Sequence, residues 1–230
     1  MGQISLPGNP PIKVILRRSA RARRLSLRLS RLDGRVTLTL PKGVSESEGR
    51  DFVLAKESWL RGHLDQQQAE VYVTHGAILP VLGAPLPILA GAGRSVRLTE
   101  GAIEVPGAEA QVPRRVQAFL KTLARDRLAE ASDRYSGALG RPYTRLTLRD
   151  TRSRWGSCTA DGGLMYSWRL ILAPPEVLEY VAAHEVAHLA EMNHSAAFWR
   201  LVEDLYGDWK QPRGWLRTEG AALHRYRFGD

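Results

Sequence analysis

His184 and His188 stand four residues apart with Glu185 between them, and His194 follows six residues later. On a helix, that four-residue spacing projects two imidazoles from one face, close enough to hold a single metal ion. Glu185 does not share their direction; its carboxylate is placed instead to take a proton from water at such an ion. A third imidazole at His194 makes three protein ligands and leaves one position open, the pattern of a catalytic zinc site. Imidazole donors suit zinc, copper, iron or nickel better than magnesium or calcium. One Zn²⁺ is therefore the expected cofactor, with other transition metals compatible.

The pattern His-Glu-x-x-His also arises by chance, so its flanks carry weight. Pro174-Pro175-Glu176 reads as a helix start, with proline in the first turn and an acid at the positive helix end. Val177, Val181, His184 and His188 then form one stripe, so the histidines extend the buried face. Asn193 is expected to end the helix in a left-handed conformation, and Ser195 to cap the next one. A break there turns His194 back towards the pair. Glu191 is a rival third ligand if the helix continues, and Glu203 and Asp204 are weaker candidates; the break favours His194.

Further candidates precede this helix. Arg152 and Arg154 lie in a predicted hairpin, and a guanidinium suits an oxyanion, a phosphate or a carboxylate. Trp155 and Ser157 complete the candidate substrate or transition-state contacts, although Trp155 with Gly156 reads more readily as packing or a tight turn. Cys158 reads as a small buried hydrophobe before a ligand. Phe198 and Trp199 are expected to pack beneath the site. His63, His75 and His224 lack partners at ligand spacing and read as structural.

The chain has 230 residues, room for one domain or two small ones. It contains no apolar run of membrane-spanning length. Residues 1–4 lack a charged-then-apolar signal pattern, and the only cysteine, Cys158, allows no intrachain disulfide. The expectation is a cytoplasmic protein. The net charge is +9, carried mostly by arginine. Lys13, Arg17, Arg18, Arg21, Arg23, Arg24, Arg28 and Arg31 all precede the first acid, Asp33. Such a segment can attract phosphate, nucleic acid or acidic protein. It can equally be a solvated strand face, since Leu25, Leu27 and Leu29 alternate with Ser26 and Arg28. No aromatics interleave with these arginines, so a stacking platform for single strands is not indicated.

Residues 11–40 read as strands, Ile12–Leu16, Leu25–Leu29 and Val36–Leu40, with Asp33-Gly34 as a hairpin turn. Ser45-Glu46-Ser47-Glu48 has capping-box spacing and predicts one helix to about Ala69, carrying Phe52, Trp59, Leu60 and Leu64. Short strands broken by glycine and proline follow to Val105. A boundary near Pro106–Ala110 divides the chain into residues 1–108 and 109–230. The second part predicts a long helix from Val112 to about Ala138, ended by Gly140-Arg141-Pro142. A strand at Tyr143–Arg149 is paired with Gly163–Trp168 across Asp161-Gly162. The histidine helix, a helix from Ala196 to about Tyr206, and a tail with Trp215, Leu216 and Leu223 complete it. The fold class is α+β, a β-rich N-terminal region plus a compact domain whose small sheet lies beside the histidine helix. An extended substrate can add itself to the edge of such a sheet.

Arg154-Trp155-Gly156-Ser157-Cys158, the run Trp168 to Pro174, Tyr180-Val181, His184-Glu185-x-x-His188 and Asn193-His194-Ser195-x-x-Phe198-Trp199 together resemble the YgjP-like metallohydrolase family. That family is similar in turn to SprT-like and other small gluzincin-type zinc metallopeptidases. The resemblance covers nearly the whole chain, including the basic hairpins, the helix around Trp59 and the Leu82-Gly83 turn. It implies a β-rich N-terminal region joined to a zincin-like metallopeptidase domain at 109–230, with His184, His188 and His194 as ligands and Glu185 as general base. Ser167 stands where asparagine is expected, which puts one polar contact near the site in doubt. Glu191 stands where metzincins of the same spacing carry glycine, which argues against a metzincin. The implied activity is metal-dependent hydrolysis, first of a peptide or protein. Some family members are described as UTP pyrophosphatases, so a nucleoside triphosphate is the second substrate class, although carboxylate clusters suited to Mg²⁺ are missing. A third reading is a nucleic-acid-associated binding protein with a structural or vestigial metal site, against which the intact Glu185 speaks.

Overall fold

The computed structural model describes residues 2–30, 34–65 and 69–229, and the chain divides between Ala69 and Glu70 into two compact units. In the first, strands β1 (Gln3–Leu6), β2 (Ile12–Ser19), β3 (Ser26–Leu29) and β4 (Val36–Pro41) form one sheet in the order β1-β2-β4-β3. The inner pair β2 and β4 is parallel and the outer pairs are antiparallel. The two-residue period sends Ile12, Val14, Leu16, Val36, Leu38 and Leu40 to one buried face. Helices α1 (Glu46–Ala55) and α2 (Glu57–Asp65) supply Val53 and Leu60 to the same cluster. Gly49 marks the contact: a Cβ there would lie 2.7 Å from Leu40. The Ser45–Glu48 capping box forms as expected, but the single expected helix is two, parted at Lys56 with no glycine or proline to announce it. Residues 26–29 and 36–39 pair as the predicted hairpin; Arg31 and Asp33 of its turn lie outside the described residues.

The second unit opens with β5 (Val71–Tyr72), followed by β6 (Ile78–Val81), β7 (Ala84–Ala90), β8 (Arg97–Leu98) and β9 (Ile103–Val105). The last four form a sheet in the order β6-β7-β9-β8. The boundary therefore falls at 69/70 and not near 108. Leu79, Val81, Ile88, Ile103 and Val105 are buried in one cluster with residues of the C-terminal part. The glycines and prolines between them mark the turns between short strands.

Helix α3 (Val112–Leu139) buries Val116, Leu120, Ala124, Leu128, Ala131 and Tyr135, a stripe of three- and four-residue steps. Gly140 ends it in the left-handed conformation (φ 68°). Next come β10 (Arg145–Arg149), β11 (Gly156–Cys158) and β12 (Gly163–Ser167), ordered β10-β12-β11. β10 and β12 do not form the expected hairpin. Those two run parallel, and the turn at Asp161-Gly162 joins β12 to β11. Gly-Ser-Cys carries little strand propensity, so β11 was invisible.

A fully buried 3-10 turn, Trp168–Leu172, leads to α4 (Pro175–Ala187). The β6–β7 turn braces this junction. The Leu82 N–H donates to the Ile171 carbonyl at 2.7 Å, and a Cβ on Gly83 would lie 3.1 Å from Pro174. That bond holds Leu82 at φ 49°, a conformation leucine rarely adopts. Helices α5 (Ala196–Tyr206) and α6 (Lys210–Thr218) follow, the latter replacing the expected tail, and β13 (Tyr226–Arg227) pairs with β5. Among the described residues no helix is long and apolar enough to cross a membrane.

Arg169 ties the C-terminal segment to this core. It is 7% exposed. Its Nε and Nη2 donate to the Asp150 carboxylate at 2.7 and 3.1 Å, and Nη1 donates to the Leu223 and Tyr226 carbonyls at 3.0 and 3.1 Å. Burial pushes the Asp150 carboxyl up, but the bonds and charge of Arg169 hold it net below its ordinary value. Arg169→Ala strands two carbonyls and breaks a bidentate pair. It should cost about 2–4 kcal/mol, read from the urea midpoint; an unchanged midpoint refutes the clamp.

Candidate metal centre

α4 is apolar around most of its circumference, as a helix enclosed by other elements must be. Pro175 begins it and Glu176 lies in its first turn, as the sequence indicated. It ends earlier than expected, at His188, with a turn continuing to Ala190. Asn193 is not left-handed: Leu82 is the one described non-glycine residue with positive φ. Instead the Asn193 side-chain oxygen accepts the Ser195 N–H at 3.0 Å, a side-chain turn of the kind asparagine favours. Ser195 Oγ then accepts the Phe198 N–H at 3.3 Å and starts α5.

That bend returns His194 to α4. One ligand atom from each of His184, His188 and His194 lies within 4.8 Å of the other two, and the Nε2 atoms of His184 and His194 are 3.1 Å apart. Two nitrogens on a tetrahedral ion at about 2.0–2.1 Å lie about 3.3–3.4 Å apart, so the donor set fits one ion. The Nδ1 of His188 faces the Glu191 carbonyl at 2.9 Å. A carbonyl only accepts, so Nδ1 carries the proton and Nε2 is left free to ligate. Glu191 thus contributes its backbone oxygen. Neither its carboxylate nor Glu203, Asp204 or Cys158 joins the cluster among the described residues.

Burial, then the neighbouring imidazoles, pushes His184 down to about 3; burial likewise lowers His188. Both rings are held neutral, the form that binds metals. Phe198 stacks on His188 with centroids 4.5 Å apart, and Trp199 lies parallel to His194 at 5.8 Å. These two rings floor the cluster as expected.

Glu185 follows His184 directly on α4, so its side chain leaves the helix about 100° around from that ligand. It is 6% exposed, and burial pushes its carboxyl up to about 8, with the Arg154 charge and the Cys158 backbone N–H offsetting part of the rise. β11 lies directly upon it. A Cβ on Gly156 would stand 2.5 Å from Glu185 Oε1, so this position admits glycine alone without displacement. Burial raises the Cys158 thiol to about 11, which keeps it protonated and fits a packing role.

The remaining candidates separate. Arg154 is exposed and acts on Glu185, whereas Arg152 acts on His224. Trp155 packs on His224 at 5.4 Å and against Gly220, a wedge behind the site. Ser157 is half-buried, paired with Met165. Ser167 is fully buried and its hydroxyl has no hydrogen-bond partner, while its N–H donates to the Trp155 carbonyl at 2.8 Å. Two residues escaped the sequence reading. Gly156 was hidden inside a motif read for its tryptophan. Arg213, in the segment read as tail, lies 4.8 Å over Trp199 and 5.5 Å over Trp209, and its charge adds to the lowering of His184. A cavity of about 380 Å³ lies beside His188, lined in part by Arg141, Thr159, Asp161, Leu189 and Met192.

The family model described as YgjP-like, metallopeptidase domain, matches residues 23–219. The chain belongs to the YgjP-like family. The matched span takes in the histidine cluster, Glu185 and Gly156, and its domain is of mixed α and β class. Among solved structures the chain is similar to the metallopeptidase zymogen abylysin of Pyrococcus abyssi, at 20% identity over 40% of this chain and 95% of that one, with a TM-score of 0.36. No curated protein matches the chain.

In this YgjP-like domain the fit of Glu185 under β11 can be tested without a substrate. Gly156→Ala should cost about 1–3 kcal/mol through overpacking, seen as a lowered melting temperature. Calorimetric titration should still find one Zn²⁺ per chain. An unchanged melting temperature would show that β11 does not confine the carboxylate.

Proposed function

We propose that the protein is a zinc-dependent peptidase, with His184, His188 and His194 as ligands and Glu185 as general base. The observation that carries this reading is the convergence of three imidazoles, two of them from the helix that also carries the buried Glu185. His184, His188 and His194 would hold Zn²⁺, and the ion would supply acidification of a water towards neutrality and polarisation of a carbonyl. Glu185, raised by its burial, takes the proton of the attacking water and returns it to the leaving amine. Arg154, exposed next to that carboxylate, is suited to the developing oxyanion.

The edge of the small sheet supports a peptide as substrate. Trp155 and Thr159 bond to β12 through their carbonyl and N–H respectively. By the alternation of an antiparallel ladder, the backbone groups of Gly156 and Cys158 turn to the free edge. The Cys158 N–H faces Glu185, leaving the other groups for an extended chain laid along β11. The cavity beside His188 offers room for one of that chain's side chains. A cytoplasmic setting fits a protein whose sole cysteine is unpaired.

Glu185→Gln should lower hydrolysis of an unstructured protein by about 10²–10⁴-fold while zinc content by atomic emission stays at one per chain. His188→Ala should lose metal and activity together. A Glu185→Gln enzyme with the wild-type rate would sink the assignment. In a second experiment a zinc chelator should stop proteolysis and added Zn²⁺ restore it. Chelator-sensitive phosphate release from UTP, without proteolysis, would replace the peptidase reading with a pyrophosphatase.

A further inference from the structure

The positive charge is not spread along the chain. Residues 1–69 hold 13 of the 33 basic residues and only 6 of the 24 acidic ones, so seven of the nine net charges sit in the first unit. A codon preference that swaps lysine for arginine leaves net charge untouched and cannot produce this partition.

Strand pleating sorts those charges. Ile12, Val14 and Leu16 of β2 and Leu27 and Leu29 of β3 turn towards the core of the unit, and Lys13, Arg17 and Arg28 turn away from it, exposed. The register sets Lys13 opposite Ser5, Arg17 opposite Thr39, and Arg28 opposite Thr37. The open face is therefore cations among hydroxyls, with Ile15 its main apolar member. The unit's other acids, Glu46, Glu48, Asp51, Glu57 and Asp65, belong to α1 and α2. Arg18, on the inner parity at the end of β2, meets Glu46 at 3.8 Å and donates to the Val44 carbonyl at 2.9 Å. Lys13, Arg17 and Arg28 have no such counter-charge among the described residues, and Arg21, Arg23 and Arg24 extend the exposed charge through the β2–β3 connection.

Uncompensated like charges repel one another, and an external polyanion relieves that repulsion. Lys13 and Arg17 are about 13 Å apart along the strand, and Arg28 stands about 10 Å away across two strand spacings. Charges so spread, without a pocket between them, suit an extended row of phosphates and not a single one. Hydroxyls donate to phosphate oxygens as well. The unit's aromatics, Phe52 and Trp59, are on helices, so unpaired bases find no stacking surface here. Nor does the face offer the apolar side chains that insert into a membrane.

We infer that the open face of the β1–β4 sheet binds the phosphate backbone of duplex nucleic acid without reading its bases. This surface is independent of the peptidase reading. The test is fluorescence anisotropy of the full chain with a labelled duplex of about 20 base pairs across a salt series from about 50 to 200 mM. Binding should weaken steeply with salt. R17E/R28E should weaken it more than tenfold and reduce the log–log salt slope by about two. R50E/K56E makes the same change of net charge on exposed positions of α1 and its C-cap and should change affinity less than threefold. Circular dichroism and melting temperature check each fold, and R17Q/R28Q repeats the test if the reversal unfolds. Absence of binding at about 50 mM salt, equal losses in both double variants, preference for single strands, or tighter binding to phosphatidylserine vesicles would each overturn the inference.

Discussion

The carboxylate of Glu185 lies against the backbone of Gly156, and much of the site's layout follows from that contact. Because Gly156 sets no side chain of its own against the carboxylate, β11 closes over the acid, which is shut away from solvent, and its proton affinity rises. The same approach leaves β11 at the edge of its sheet with one row of backbone groups unpaired by β12. A longer residue at 156 would lift the strand and undo both effects together. The glycine is therefore a condition of the acid's chemistry as much as of the backbone's path.

The histidines are fixed by a different means. His188 is oriented by a carbonyl from the turn that ends its own helix and by the face of Phe198. His194 is brought in by a bend whose hydrogen bonds come from Asn193 and Ser195. The rings are held by local chain geometry and by contacts with Phe198 and Trp199, so the cluster does not depend on a network of second carboxylates. Arg213, stacked over Trp199, adds to the lowering of His184.

The features legible in the sequence were those with local causes. The helix start at Pro174-Pro175, the His184–His188 spacing and the cap at Ser195 each depend on a few adjacent residues. Asn193 shows the limit of that reasoning: the bend was foreseen, but asparagine makes it through a side-chain hydrogen bond and not a left-handed backbone. What remained hidden is decided at long range. The strand at 156–158 exists because β12 and α4 flank it, not because of its own residues. Likewise the short strands expected up to Val105 read as part of the N-terminal region. Only the burial of Leu79, Ile88 and Ile103 assigns them to the second unit.

Charge balance explains why a single acid matters so much here. Three imidazole ligands contribute no negative charge to a divalent ion, unlike shells containing carboxylates. With Arg154 beside Glu185 and Arg213 beside His184, the nearby charged side chains add positive charge. Glu185 is then the carboxylate set to oppose them, and in the proposed mechanism it is also the base. Its two roles make different demands: opposing charge favours ionisation, whereas burial favours the proton. A carboxyl poised between those demands exchanges a proton near neutral pH more readily than one committed to either form. The close seat under Gly156 is what maintains that poise, because solvent reaching the carboxylate would return it to ordinary acidity.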